Sequence, residues 1–299
     1  MSTVRTTAQD GILVTGAGRG IGMEAALQLA QNGFRVWASM RDLKQAGPLL
    51  KEAGSRGVKL ETVRLDVTDA ASIEAAVAQI RAAGGSLYGL VNNAGITKIG
   101  YFEDYPEEEI RRVLEVNLFG VMNVTRRVLP LMREARRGRI VMLSSLGGRL
   151  ASVCMAPYFA SKFAIEGFGE ALMQEVAPLG IQVVIVEPGM VGTEFLDKER
   201  LLPSALDPRG PYYQWFCRAQ AEMDALVKAA TVTPADVAAT VVNAFTARKP
   251  RLRYIVGWKG GLLLSLRRHL PGEWFDRIYF KEVIRRLTRP GTPPIKPAA

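Results

Sequence analysis

Histidine and cysteine are nearly missing from this 299-residue chain. The only histidine is His269. A Ser-His-Asp arrangement in the body of the chain is therefore excluded, and no metal site is expected. Cys154 and Cys217 are the only cysteines. Two are too few for a disulfide framework, so a reducing cytoplasm is the expected compartment. No run of about 18 uncharged apolar residues occurs, so a transmembrane helix is not expected. The opening MSTVRTTAQD lacks the apolar stretch of a signal peptide. Apolar content is 48% and charged content 23%. These are ordinary globular values, which exclude a disordered or fibrous chain.

Acidic residues are scarce in one place. From Arg248 to Ala299 there are 13 Lys and Arg against 3 Asp and Glu, while the preceding 247 residues hold 26 of each sign. The whole formal charge of +10 therefore belongs to the tail. Any case for an anionic partner concerns that segment alone.

The body alternates short apolar runs with helical patterns. Strands are expected at Gly11–Val14, Phe34–Ala38, Val58–Leu65, Tyr88–Val91, Arg139–Leu143 and Gln182–Val186. Helices are expected at Ile21–Gln31, from Thr68-Asp69 onward, at Pro106 to about Arg126, at Arg127–Arg136 and at Tyr158–Val176. Continuous apolar strands separated by helices predict an α/β fold, a doubly wound parallel sheet of Rossmann type. The reading is one dinucleotide-binding and catalytic domain over residues 1–250, with a substrate lid over about 190–230. Residues 251–299 form a basic amphipathic C-terminal extension whose Pro-rich end, Arg289–Ala299, is expected to be disordered.

TGAGRGIG runs from Thr15 to Gly22, directly after one strand and before a helix. In that context Gly16, Gly18, Gly20 and Gly22, with Arg19 and Ile21 between them, suit a turn that brings backbone and a helix N-terminus to a pyrophosphate. The bland alternative is a glycine-rich turn that binds nothing. The second strand ends Ala38-Ser39-Met40-Arg41, with no acid before Asp42. An NAD site usually has an acid there for the ribose 2′-hydroxyl. Arg41 and Arg19 instead suit a 2′-phosphate, so NADP is favoured over NAD.

Tyr158 and Lys162 are four apart at the start of a predicted helix, which puts both on one face. An ammonium beside a phenol favours the phenolate, so the pair makes a tunable acid/base. Alone, the spacing is also what an exposed helical pair would show. Ser144-Ser145 ends a strand, where the ligand crevice of such a sheet lies, and Ser145 could hold a substrate oxygen; a plain turn or cap is the alternative. Asn92-Asn93-Ala94-Gly95 ends another strand and suits a wall beside a cofactor. Asn117 sits mid-helix among apolar neighbours, where a buried amide needs partners.

With these residues in order, the chain resembles the short-chain dehydrogenase/reductase family over roughly Gly11 to Ala247. VWASMRDLKQAG and YFASKFAIEGF are most similar to its steroid and retinol dehydrogenase branch. The resemblance maps the family's TGxxxGxG onto Thr15, Gly16, Gly20 and Gly22, its adenine-contacting Asp onto Asp66 with Val67 after it, and its NNAG wall onto Asn93, Ala94 and Gly95. It maps the catalytic tetrad onto Asn117, Ser145, Tyr158 and Lys162. The PG-x-V-x-T segment becomes Pro188, Gly189, Val191 and Thr193, the threonine contacting the nicotinamide carboxamide in relatives. The resemblance implies hydride transfer between NADPH and a carbonyl carbon, with Tyr158 donating the proton. Lys162 would lower the tyrosine pKa and bind the nicotinamide ribose. Ser145 would orient the carbonyl, and Asn117 would hold a water that relays protons. Relatives commonly pair through the two long helices, so a homo-oligomer is expected.

Phe195, Leu196, Leu201, Leu202, Tyr212, Tyr213, Trp215 and Phe216 crowd the expected lid, and Cys154 and Met155 precede Tyr158. This favours a small molecule with a bulky hydrophobic body, a ketone, aldehyde or alcohol such as a steroid or retinoid, unless these residues simply pack the lid. In the tail, Trp274, Ile278 and Lys281–Arg285 suggest an amphipathic helix that either packs on the core or makes peripheral contact with an anionic membrane. No nucleic-acid motif supports the charge. The competing classes are a catalytically idle dinucleotide sensor or scaffold, a sugar-nucleotide epimerase or dehydratase, and a membrane-surface module.

Overall fold

A computed structural model describes residues 10–84, 86–192 and 198–289. Seven parallel strands form one sheet in the order β3-β2-β1-β4-β5-β6-β7. These are β1 (Asp10–Val14), β2 (Arg35–Met40), β3 (Glu61–Arg64), β4 (Ser86–Asn92), β5 (Gly138–Leu143), β6 (Ile181–Pro188) and β7 (Arg253–Val256). The order reverses between β1 and β4, and a crevice opens beyond the carboxyl ends of strands at such a point.

The central strands are apolar on both faces because helices cover both. On one face α1 (Gly20–Gln31), α2 (Gly47–Ser55) and α8 (Pro234–Thr246) bury Leu27, Leu29, Leu49, Val241 and Phe245. On the other, α3 (Ala70–Ala82), α5 (Gly120–Glu134) and α6 (Ala156–Val176) bury Ile73, Ile80, Val124, Val128, Ile165 and Leu172. The Asp69 carboxylate caps α3 by accepting from Ala71 and Ser72 N–H, which fixes the helix where the sequence opens it. A third apolar cluster joins Ile99, Tyr105, Cys154, Met155, Phe159, Leu202 and Phe216. It gathers the segment before α4 (Glu107–Leu114), the start of α6, and α7 (Tyr213–Lys228).

The expected helix break at Arg126–Arg127 is absent, and α5 runs through Pro130 to Glu134. The irregularity lies earlier, as a π-helical turn at Glu115–Phe119 where Gly120 N–H reaches Glu115 O. The seventh strand was not read from sequence and lies beyond residue 250, inside the presumed extension, so the sheet continues past that boundary. After it come α9 (Trp258–His269) and α10 (Gly272–Thr288), the latter covering the expected amphipathic helix. Residues 290–299, the expected disordered end, lie outside the described residues. Among the described residues no helix is long and apolar enough to cross a membrane.

Candidate active site

The glycine loop is held from two sides at the switch point. Thr15 Oγ1 donates to Val91 O at 3.2 Å and accepts from Asn93 N–H at 2.9 Å and Ala94 N–H at 3.0 Å. Asn93 Nδ2 donates to Thr15 O and Gly16 O at 2.9 and 3.0 Å. Asn93 thus braces the loop from β4 with its amide. On the other side Ala17 N–H donates to Ser39 O at 2.8 Å.

Clearance makes glycine obligatory at two positions of this loop. Gly16 has φ +66°, and a Cβ there would lie 2.9 Å from Ala94 Cα. A Cβ at Gly22 would lie 2.3 Å from Asn93 Nδ2 and 2.4 Å from Gly16 O. The first turn of α1 has no side-chain cap and no acid, which leaves its N–H donors and positive dipole end for an anion. These features fit a dinucleotide pyrophosphate. A Cβ on Gly18 would lie 4.0 Å from Met40, which sets the glycine loop against the end of β2, where Arg19 and Arg41 are both exposed. The nearest acid, Asp42, accepts from Lys44 N–H in its own turn. Asp66 follows β3, accepts from Thr68 N–H and hydroxyl at 3.0 and 2.7 Å, and stands beside buried Val67. Pro188 and Gly189 end β6, Gly189 N–H donating to Val256 O at 2.9 Å. Val191 bridges to Val232. Thr193, Phe195 and Leu196 lie outside the described residues.

Ser145, Tyr158 and Lys162, expected from the sequence to be catalytic, converge at the carboxyl end of β5. Ser145 starts a short 3-10 turn, its Oγ accepting from Gly147 N–H at 3.0 Å. Its hydroxyl also hydrogen-bonds the Tyr158 phenol. Lys162 is buried, with Nζ donating to Leu143 O at 2.7 Å and lying 5.7 Å from the Tyr158 ring centroid. Asn117 sits in the π turn. Its Oδ1 accepts from Ile96 N–H at 2.8 Å, and its Nδ2 donates to Ile96 O at 2.9 Å and Ser161 Oγ at 3.1 Å. Ser161 Oγ donates to Tyr158 O at 2.6 Å. Asn117 therefore staples the segment after Gly95 to the helix of Tyr158 and Lys162. Its side chain is spent on protein partners.

Electrostatics differ from expectation. Burial pushes the Tyr158 phenol upward, and the Ser145 hydrogen bond only partly opposes this. Burial lowers Lys162 to about 8, against the pull of Glu166. Desolvation, not the neighbouring ammonium, governs the phenol. Tyr158 packs at the edge of the third apolar cluster, and Tyr101 stacks on Tyr212 at 4.8 Å. Leu202 and Phe216, expected in a lid, are buried in the same apolar cluster. Sequence reasoning missed Tyr105, whose hydroxyl donates to Lys98 O at 2.5 Å and Cys154 O at 3.2 Å. It thereby holds Cys154, which has φ +67°. Nothing in the local sequence marks that contact. A cavity of about 430 Å³ is lined by Arg149, Phe163, Glu166, Glu170 and Arg253, beginning one helical turn beyond Lys162 on α6. Among the described residues no group of three His, Cys, Asp or Glu could hold a metal ion.

Comparison with known proteins gives a consistent picture. A family model described as short chain dehydrogenase matches residues 10–201. The chain is 34% identical over 295 residues to mouse mitochondrial D-beta-hydroxybutyrate dehydrogenase, covering 90% of this chain and 83% of that one. It is 36% identical over 282 residues to human retinol dehydrogenase 5, covering 89% and 86%. Among solved structures, a short-chain dehydrogenase from Streptomyces avermitilis superposes with TM-score 0.72 at 33% identity, covering 92% and 98%. A metagenomic short-chain oxidoreductase in complex with NADP gives TM-score 0.66 at 25% identity, covering 84% and 98%.

Proposed function

The chain belongs to the short-chain dehydrogenase family, and from that premise we propose that it is an NADP(H)-dependent oxidoreductase interconverting a bulky hydrophobic ketone or aldehyde and its alcohol. The observation that carries this reading is the meeting of Ser145, Tyr158 and Lys162 at the carboxyl end of β5, beside the braced glycine loop. A bound nicotinamide dinucleotide supplies or accepts the hydride. Thr15–Gly22 and the N-terminus of α1 would hold its pyrophosphate, and Asp66 and Val67 its adenine end. Pro188, Gly189, Val191 and Thr193 would border the nicotinamide. In reduction, the Tyr158 phenol donates its proton to the substrate oxygen; in oxidation, the phenolate removes the alcohol proton. Ser145 holds that oxygen against the phenol. Lys162 keeps a positive charge behind the tyrosine below about pH 8.

The corner formed by Arg19 and Arg41, with Asp42 turned into its own cap, supports a 2′-phosphate and hence NADP. The apolar wall at Tyr158 supports a hydrophobic substrate. The test is a panel of ketosteroids, retinal, and aliphatic and aromatic ketones, followed by NADPH and NADH absorbance. Tyr158→Phe should abolish turnover while keeping NADPH binding; equal activity would refute the assignment. Arg41→Ala should erode the preference for NADPH, and a wild-type preference for NADH would refute the cofactor reading.

One further surface supports a second feature, docking on an anionic membrane surface. Trp258, Leu262 and Leu266 of α9 and Trp274 and Ile278 of α10 are exposed, the two tryptophans by 69% and 68%. Lys259, Arg268, Arg277 and Lys281 stand among them. Amphipathic helices with basic and aromatic residues bind such surfaces. Truncation at residue 251 would remove β7, so substitution is the cleaner probe. Sedimentation with phosphatidylserine vesicles should fall for Trp258→Ser combined with Trp274→Ser, and binding should weaken with salt. Unchanged sedimentation would rule out this face.

A further inference from the structure

Behind Lys162 lies an ionic cluster, built on two buried carboxylates and open to solvent on one side, that the chemistry above does not use. Arg253, delivered by β7, places Nε 2.9 Å from Glu166 Oε2 and 3.2 Å from Glu187 Oε1, and one terminal nitrogen 2.6 Å from Glu170 Oε1. Arg149 reaches Glu187 Oε1 at 3.2 Å. Glu187 is fully buried and Glu166 nearly so. Glu166 Oε1 and Glu187 Oε2 are buried with no hydrogen-bond partner among the described residues. Such a cluster is a poor way to gain stability, because desolvating charges costs more than well-packed apolar groups would. Its location suggests another use. Glu166 is one turn beyond Lys162 on α6. Arg149 follows the turn that begins at Ser145. Glu187 directly precedes Pro188.

We propose that Arg253 is a positioning residue for the Tyr158–Lys162 pair. By bridging Glu166 and Glu170 on α6 to Glu187 on β6 it locks together the segments that carry Lys162 and Pro188, while Arg149 on the same Glu187 ties in the turn of Ser145, and it fixes the net charge behind Lys162. This role rests on the assignment of Tyr158 and Lys162 as the acid/base pair. The titratable and charged groups arranged around Lys162 are the neutral Tyr158 phenol, Glu166 and Glu170 on its own helix, Glu187 on β6, Arg149 after β5 and Arg253 on β7. Asn117, on the π turn, adds only a neutral amide through Ser161. Removing the Arg253 charge leaves this surround one unit more negative, which favours the Lys162 ammonium. Removing the Glu166 charge does the opposite.

The experiment reads Lys162 directly and needs no substrate. Lysine is labelled with carbon-13 at Cε in the full chain, and the Lys162 resonance is assigned by its loss in Lys162→Met. Its pH titration is then followed by NMR. In wild type the midpoint should lie near the value of about 8 that burial gives. Arg253→Met should raise it by roughly one pH unit, and Glu166→Gln should lower it by a similar amount. Arg253→Lys, which keeps the charge, should return it to the wild-type value. A merely structural role would lower the melting temperature without these opposed shifts. Midpoints that stay put, or that move in the same direction in Arg253→Met and Glu166→Gln, overturn the proposal. Should Arg253→Met fail to fold, the absence of a downward shift in Glu166→Gln overturns it alone. A chain that turns over no carbonyl yet shows the opposed shifts would sink the functional reading and leave the charge coupling standing.

Discussion

Lys162 carries its charge against the preference of its surroundings, and that cost can be measured as a pH dependence of stability. Burial takes its pKa from the ordinary 10.5 to about 8. A gap of roughly 2.5 units corresponds to about 3 kcal/mol, lost from the native state wherever the lysine is protonated in both states. Between about pH 8 and about pH 10.5 the unfolded chain still holds the proton while the native chain has released it. The unfolded state then binds more protons, so stability rises with pH across that window. Below about pH 8 the full cost is present.

Lys162→Met removes the effect together with the charge. At neutral pH the variant escapes about 3 kcal/mol of desolvation but leaves Leu143 O without its 2.7 Å donor, a loss of about 1–3 kcal/mol. The two nearly cancel, so the variant should lie within about 2 kcal/mol of wild type while losing turnover. The decisive quantity is the difference in unfolding free energy, wild type minus variant, from urea titrations between about pH 7 and about pH 10. Taking the difference cancels the titration of the other lysines and tyrosines. It should increase with pH by up to about 3 kcal/mol. A flat or falling difference would refute the claim that Lys162 is held charged in a desolvated site.

Two more outcomes follow from the same geometry. Asn117→Ala strips buried partners from Ile96 N–H and Ile96 O and should cost about 3 kcal/mol in urea unfolding; a change under about 1 kcal/mol would mean the staple does not hold the crevice together. Gly22→Ala drives a Cβ to 2.3 Å from Asn93 Nδ2 and should abolish NADPH binding by fluorescence while the far-ultraviolet circular dichroism stays native; retained affinity would show that the loop is not packed to glycine clearance.

The parts of the fold that the sequence exposes are those where local chemistry and global position agree. The central strands are legible because their apolar runs are buried on both faces and bounded by turns, whereas the edge strand β3, with only Val63 buried, is marked by Val58, Leu60, Val63 and Leu65 around it rather than by a continuous apolar run. The glycine loop is legible because its spacing and its strand–helix context coincide. The π turn is not, since one extra residue in a helix leaves the apolar pattern nearly unchanged. The Asn117 amide is legible as a buried group in need of partners, yet those partners, Ile96 and Ser161, are 21 and 44 residues away. The upward displacement of the Tyr158 phenol escapes the sequence for the same reason. Spacing puts a lysine beside the tyrosine, but only the packed site reveals that burial outweighs it.

The tail was hardest to read because it inverts the usual rule of apolar inside and charged outside. Its basic surplus suggests a solvated surface, yet Arg253 turns inward to three carboxylates and Arg267 donates to Arg149 O. Of the seventeen large apolar side chains exposed among the described residues, nine fall between Ile255 and Ile284. A monomer in water gains nothing from that concentration. The two observations fit one design. Arg253 is spent on the charge cluster behind Lys162, and the tryptophans and leucines point outward, where the proposed docking would use them. If the tail docks on a bilayer, the face that meets lipid and the strand that clamps Glu166 are joined by the single residue Gly257. Vesicle binding should then shift the Lys162 midpoint in wild type but not in Trp258→Ser combined with Trp274→Ser. An equal shift in both would separate the two roles of the tail.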